Sequence, residues 1–209
     1  MTRIFRACCF GAMLAGTAAA PPAAASATTL TISDGTFSAW RFGSYLQGTG
    51  SGGSASMSVD STLGNPAPGL AVTTDSPVGV DATGYGYDTA APTSDVLNKA
   101  SYVMTVQFQS NADADGIGQG IQLIVVQNGI VYISHGYKNT GTERTGWKTV
   151  TLKGKLVGTS FNNISGTGPS APDFTSGIPT EFGFSGQDYQ SNRTLTVYYD
   201  NYTLAITLK

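Results

Sequence analysis

Four groups of side chains in this 209-residue chain have the types and spacing that chemistry requires. Asn111-Ala112-Asp113-Ala114-Asp115-Gly116 places oxygen ligands at alternate positions before a glycine that lets the loop turn sharply. That spacing wraps a hard cation, and Ca²⁺ is the cofactor it predicts. Gln122 stands at the twelfth position, where an EF-hand carries a bidentate glutamate, and the alternative reading is a polar turn. Glycoside hydrolysis needs two carboxylates across a cleft, and the only glutamates are Glu143, in a turn, and Glu181, at the start of an alternating strand. His135 is the single histidine. With Tyr137, Lys138 and Arg144 nearby it fits a general base of a lyase, against the simpler reading of a histidine at a loop end. Finally, aromatic rings with a polar tip suit sugar faces. Tyr85, Tyr87, Tyr132 and Tyr137 are the candidate lining of a carbohydrate site, or else a tyrosine-rich core boundary.

These residues belong to a chain that reads as exported. Arg3 and Arg6 precede an apolar and small-residue stretch, and Ala25-Ser26-Ala27 fits a signal-peptidase site. Residues 1–27 are therefore expected to be a removed secretory signal and 28–209 a single domain, secreted or periplasmic. Both cysteines, Cys8 and Cys9, leave with the signal, so no disulfide is expected. Loss of Arg3 and Arg6 leaves 9 of the 11 basic residues against 13 acidic ones, a net charge of −4. So sparse and mildly acidic a chain disfavours nucleic acid and, once the signal is gone, a membrane. It suits a neutral glycan or an extracellular protein surface.

The elements that must position the candidates are strands. The sequence from Gly120 to Gly136, GIQLIVVQNGIVYISHG, has two apolar runs flanking Asn128-Gly129, a strong signal for a tight hairpin turn. Gln127 then faces Ile130, Val125 faces Tyr132, Leu123 faces Ser134, and His135 falls opposite Gln122. One face carries Leu123, Val125, Ile130 and Tyr132, the other Ile124, Val126, Val131 and Ile133. With both faces apolar, the hairpin belongs inside a sheet covered on both sides. Tyr132 shares its face with Gln127 and Ser134, which places it towards a polar surface. Ser101–Gln109 alternates as another strand. Leu195, Val197 and Tyr199 are one residue out of phase with Tyr202, Leu204, Ile206 and Leu208, so Asp200-Asn201 absorbs a slip as a bulge or a hairpin turn, the bulge being favoured. The segments from Asp88 to Asn98 and from Gly154 to Pro172 read as loops. About eight to ten strands give an all-β, two-sheet antiparallel β-sandwich.

Local patterns add a resemblance. The early SDGTF…W element, the GWKTVTL strand and the closing YDNYTLAI strand resemble jelly-roll β-sandwiches of the galactose-binding-like and carbohydrate-binding-module type. GIGQGIQLIVVQNGIVYI, PDFTSGIPTEFGF and DNYTLAI also resemble exported bacterial proteins of unassigned function with that fold. The resemblance implies a structural Ca²⁺ held through Asp34 and Asp200, although Ser38 stands where such modules carry a carboxylate after the early Phe37. It implies a non-catalytic domain that binds carbohydrate or a cell-surface partner. Two other readings stand beside it: a polysaccharide-cleaving lyase or glycoside hydrolase, and a structural or adhesive extracellular protein.

Overall fold

The computed structural model describes residues 27–110, 118–141, 146–189 and 191–208. The expected export signal falls almost wholly outside them. Twelve strands form in the described residues, every pairing antiparallel, together with one short 3₁₀ turn at Gly158–Ser160. They make two six-stranded sheets packed as a sandwich.

The first sheet contains β1 (Thr29–Asp34), β3 (Ser54–Asp60), β4 (Gly69–Asp75), β6 (Ser101–Ser110), β9 (Lys148–Lys155) and β12 (Thr194–Thr207), in the order β3-β4-β12-β6-β9. Strand β12 is continuous, and its register against β6 slips between Asp200 and Thr203, with Asn201 at φ 51°. This is the favoured bulge, and its effect is topological. The half before it, Thr194–Tyr199, pairs with β4, while the half after it, Tyr202–Thr207, pairs with β1. Both out-of-phase sets, from Leu195 to Ile206, are buried as a result.

The second sheet holds β2 (Trp40–Gly48), β5 (Val80–Thr93), β7 (Gly120–Gln127), β8 (Ile130–Asn139), β10 (Phe161–Asn163) and β11 (Thr180–Tyr189), in the order β10-β8-β7-β11-β5-β2. The turn between β7 and β8 has Asn128 at φ 52° and Gly129 at φ 77°, the left-handed pair that such a hairpin needs. Gln127 faces Ile130 and Val125 faces Tyr132, as the sequence pattern predicts. Beyond Ile124 the register changes, and Gln122 faces Tyr137 instead of His135. The cause is local. Ser134 Oγ accepts a bond from Leu123 N at 3.0 Å and donates to Gly136 O at 2.8 Å, stapling a bulge into β8.

Two expected loops are also strand. Much of 88–98 extends β5 to Thr93, and Phe161–Asn163 forms the short edge strand β10. Phe161 is held by the inter-sheet core and packs against Phe174 at 5.5 Å between ring centroids.

The main core lies between the sheets. Trp40 sits at its aromatic centre, 5.1 Å from Phe37, 5.7 Å from Phe184 and 5.2 Å from Tyr202, each in an edge arrangement. Such contacts add about 0.5–1.5 kcal/mol each beyond the area they bury. A second, smaller cluster occupies the opposite face of the β7–β8 hairpin: Ile124, Val126, Val131 and Ile133, with Tyr85, Tyr87 and Ile164 packed against it. The two apolar faces of the hairpin thus serve two different layers, which is why neither face is polar.

Candidate functional site

Strict alternation sends every second residue of the second sheet away from the sandwich interior. Phe182 and Phe184 of β11 point into the main core, so Gly183, Ser185, Gln187 and Tyr189 form its outer row. Their cross-strand partners share that face: Tyr87, Tyr85, Thr83 and Asp81 on β5, and Ile124 and Gln122 on β7. Part of this face floors a groove to which all six strands contribute. Its lining includes Tyr45 and Gln47 from β2, Asp81 and Thr83 from β5, Gln122 from β7, Ile133 and His135 from β8, Asn162 from β10, and Gln187 and Tyr189 from β11. The space is about 300 Å³. A neighbouring space of about 310 Å³ shares Tyr45, Gln47, Ile133 and Asn162 and continues to Asn163 and Ser170.

The polar chemistry of this floor is unusual for a protein surface. Four buried side-chain oxygens on this outer face have no hydrogen-bond partner among the described residues: Asp81 Oδ1, Gln122 Oε1 and Gln187 Oε1, whose residues line the groove, and Ser185 Oγ, which is not part of the lining. Gln122, Ser185 and Gln187 are only 6%, 0% and 7% exposed. A buried polar atom without a partner costs about 1–3 kcal/mol, so four on one surface need an explanation. One orientation is set by another bond: Gln122 Nε2 donates to Ser134 O at 2.6 Å, so its amide oxygen is the group left without a partner.

Tyrosines border it. Tyr189 and Tyr137 are both more than half exposed, with ring centroids 6.2 Å apart. Burial pushes the Tyr189 phenol above its ordinary pKa, the Asp81 and Tyr137 charges push it further, and the Gln187 bond opposes them. Tyr85 lies across β2 because its partner there is Gly43, where a Cβ would come within 2.4 Å of the Tyr85 hydroxyl.

The sequence-predicted residues distribute as follows. Tyr85, Tyr87 and Tyr137 share the outer face of this sheet, but Tyr85 and Tyr87 are on β5 and Tyr137 on β8, with β11 and β7 between them, and none of the three is in the groove lining. Tyr132 does not join them: it is 2% exposed and points into the core between the sheets. The polar residues that marked its face are themselves buried. Gln127 bonds Asp173 O and N and the Thr180 hydroxyl, and Ser134 staples the bulge. His135 borders the groove and its Nε2 bonds Asn162 Oδ1 at 2.9 Å. Glu181 is not part of the groove lining. Burial raises its pKa, Arg41 opposes that, and Asp88 adds to it. Glu143, Asn111, Asp113 and Asp115 lie outside the described residues.

The Ca²⁺ pair implied by the family resemblance does not fit. Asp34 Oδ1 accepts bonds from Thr36 N at 2.6 Å, Thr36 Oγ1 at 3.0 Å and Phe37 N at 3.0 Å, and Asp34 Oδ2 accepts Trp40 Nε1 at 3.1 Å. Asp200 accepts Asn201 N at 2.6 Å and Asn65 N. Oxygens ringed by N–H groups present the wrong polarity to a cation. Among the described residues no group of three or more His, Cys, Asp or Glu is placed to hold a metal.

The groove residues missed by sequence reasoning are Tyr45, Asp81, Gln122, Gln187, Tyr189 and Asn162. Only Gln187 carried a legible signal, as a polar residue in phase with the alternation of Phe182 and Phe184 in a central strand.

No protein-family model matches the chain, and no curated protein matches it. Solved structures do. The family 11 carbohydrate-binding module of a cellulosomal cellulase of Clostridium thermocellum is 17% identical, with a TM-score of 0.45 over 78% of this chain and 86% of that one. A xylan-binding family 22 module from Paenibacillus barcinonensis is 10% identical, with a TM-score of 0.44 over 90% and 99%. A β-1,2-glucanase from Parabacteroides distasonis is 12% identical, with a TM-score of 0.46 over 81% of this chain but 23% of that one.

Proposed function

We propose that the chain is an exported, non-catalytic domain that binds a neutral or amino-bearing glycan along the outer face of its second sheet. One observation carries this reading: three residues with a buried, unpartnered side-chain oxygen, Asp81, Gln122 and Gln187, line one groove together with Tyr45 and Tyr189. Carbohydrates supply what these groups lack, hydroxyl donors on one edge of the ring and apolar C–H faces for aromatic contact. An apolar ligand would leave the oxygens unsatisfied, and an anionic one would crowd them with further acceptors.

Binding without cleavage is favoured by the distribution of acids. Asp81 is the one carboxylate among the described residues lining the groove, and Glu181 stands apart from it. Export rests on the leader-like residues 1–27, and a secreted or periplasmic location follows from it.

The test is a panel of immobilised and soluble polysaccharides, including mixed-linked β-glucan and xylan, probed with the chain and with its Gln122→Ala and Gln187→Ala variants. Each lost charge-neutral hydrogen bond is expected to weaken binding by about 0.5–1.5 kcal/mol, roughly 2- to 13-fold. Binding that both variants retain at full strength places the ligand elsewhere.

A further inference from the structure

The unpartnered atoms of the groove residues have a common sign. All three are oxygens that only accept: Asp81 Oδ1, Gln122 Oε1 and Gln187 Oε1. The Gln122 amide nitrogen that would soften this is engaged with Ser134 O. Asp81, Gln122 and Gln187 are also neighbours. Gln187 stands beside Tyr189 along β11, and Tyr189 pairs with Asp81. On the other side of β11, Ser185 pairs with Gln122. Gln187 is thus diagonal to both Asp81 and Gln122, a relation in which long side chains reach one another.

No lysine or arginine is among the described residues that line the groove, and His135 Nε2 is engaged with Asn162. The Asp81 carboxylate therefore lacks a counter-charge there. Its charge is felt, because it adds to the upward push on the Tyr189 phenol.

A sugar hydroxyl brings one donor and two lone pairs, so a hydroxyl set among three acceptors satisfies one and crowds the others. An ammonium group brings three donors and no acceptor. We infer that the floor of the groove is a subsite for the ammonium group of an amino sugar, held by Asp81, Gln187 and Gln122. This rests on the glycan-binding reading above and narrows it to glycans with free amines. N-acetylation replaces the cation by a neutral amide and abolishes the match, and a uronic acid brings a carboxylate against Asp81.

Calorimetry with three β-1,4-linked oligosaccharides of equal length separates the possibilities: glucosamine, N-acetylglucosamine and glucose oligomers. The free-amine oligomer is expected to bind at least about tenfold tighter than its acetylated counterpart, the scale of a hydrogen bond to a charged group. Added salt should shrink that ratio. Asp81→Asn should collapse it towards one, while Gln187→Glu, which adds a second carboxylate, should widen it. Glucose oligomers binding as well as glucosamine oligomers, or a preference that survives in Asp81→Asn, would overturn the ammonium subsite and leave glycan binding intact. Binding of none of the three, nor of any glycan in the wider panel, would overturn both. The wild-type ratio decides the matter even if a variant fails to fold.

Discussion

A buried hydroxyl without a partner weakens the fold, so removing that of Ser185 should stabilise the chain. Ser185 is fully buried on the outer face of β11, and its Oγ has no partner. Such an orphan costs about 1–3 kcal/mol. Ser185→Ala removes it while keeping Cβ and the strand geometry. The hydroxyl-sized void offsets part of the gain, since a residual cavity costs about 24 cal/mol per Å³. The balance is a stabilisation of about 1 kcal/mol, which raises Tm by about 2–4 °C for a domain of this size. Ser134→Ala is the matched control. It is also a buried serine on this sheet, but its Oγ bonds Leu123 N and Gly136 O. Losing them leaves a buried N–H without a partner and should cost about 1–3 kcal/mol, so Tm falls. Urea unfolding with equal m-values, alongside thermal melts, reads both variants. A Ser185→Ala protein destabilised as much as Ser134→Ala would show that the hydroxyl has a structural partner, and the argument from orphaned groups would fail.

Asp34 caps a turn through Oδ1 and accepts Trp40 Nε1 through Oδ2, so Asp34→Asn, which keeps one acceptor oxygen but sets an NH₂ against the indole N–H, should lose about 1–3 kcal/mol, and Asp34→Ala, which loses both acceptors, should melt no higher. We propose that any stabilisation by Ca²⁺ comes from Asn111, Asp113 and Asp115. Melting with Ca²⁺ and with chelator should then show it lost in Asp113→Asn/Asp115→Asn and kept in Asp34→Asn. Burial raises the Asp188 pKa, against smaller opposing effects of Ser191, Tyr189 and Arg193. A raised carboxyl binds its proton more tightly in the folded state, so its contribution is full below the ordinary value of 3.8 and is lost as pH rises through the raised one. Asp188→Asn should therefore flatten the decline in stability between the ordinary and the raised value, as followed by urea titrations across the acidic range.

The β7–β8 hairpin was readable because Asn128-Gly129 sets the turn and a period of two then assigns each face. Leu123 and Val125 against Ile124 and Val126 did separate into two clusters. Periodicity does not say which cluster lies inside, however, and Gln127 and Ser134 pointed the wrong way. Both are polar residues consumed by internal bonds, so Tyr132 came out in the core. The slip at Asp200-Asn201 was visible as two apolar sets out of phase, since burial demands alternation on each side of it. The groove was not visible. It gathers Tyr45, Asp81, Gln122, Asn162 and Gln187 from five strands, and their adjacency depends on strand order and sheet curvature, which no local pattern encodes. The second register change had no warning either, because it depends on a single Ser134 hydroxyl.

The most direct measurement is a backbone and side-chain amide NMR titration with the tightest-binding oligosaccharide. The account predicts that the largest shifts fall on the Gln122 and Gln187 side-chain amides and on Thr83, Ser185 and Tyr189, with little change along β3 and β4 of the other sheet. Shifts concentrated on that other sheet, or around Phe108, Lys148 and Thr149 beside β9, would contradict it.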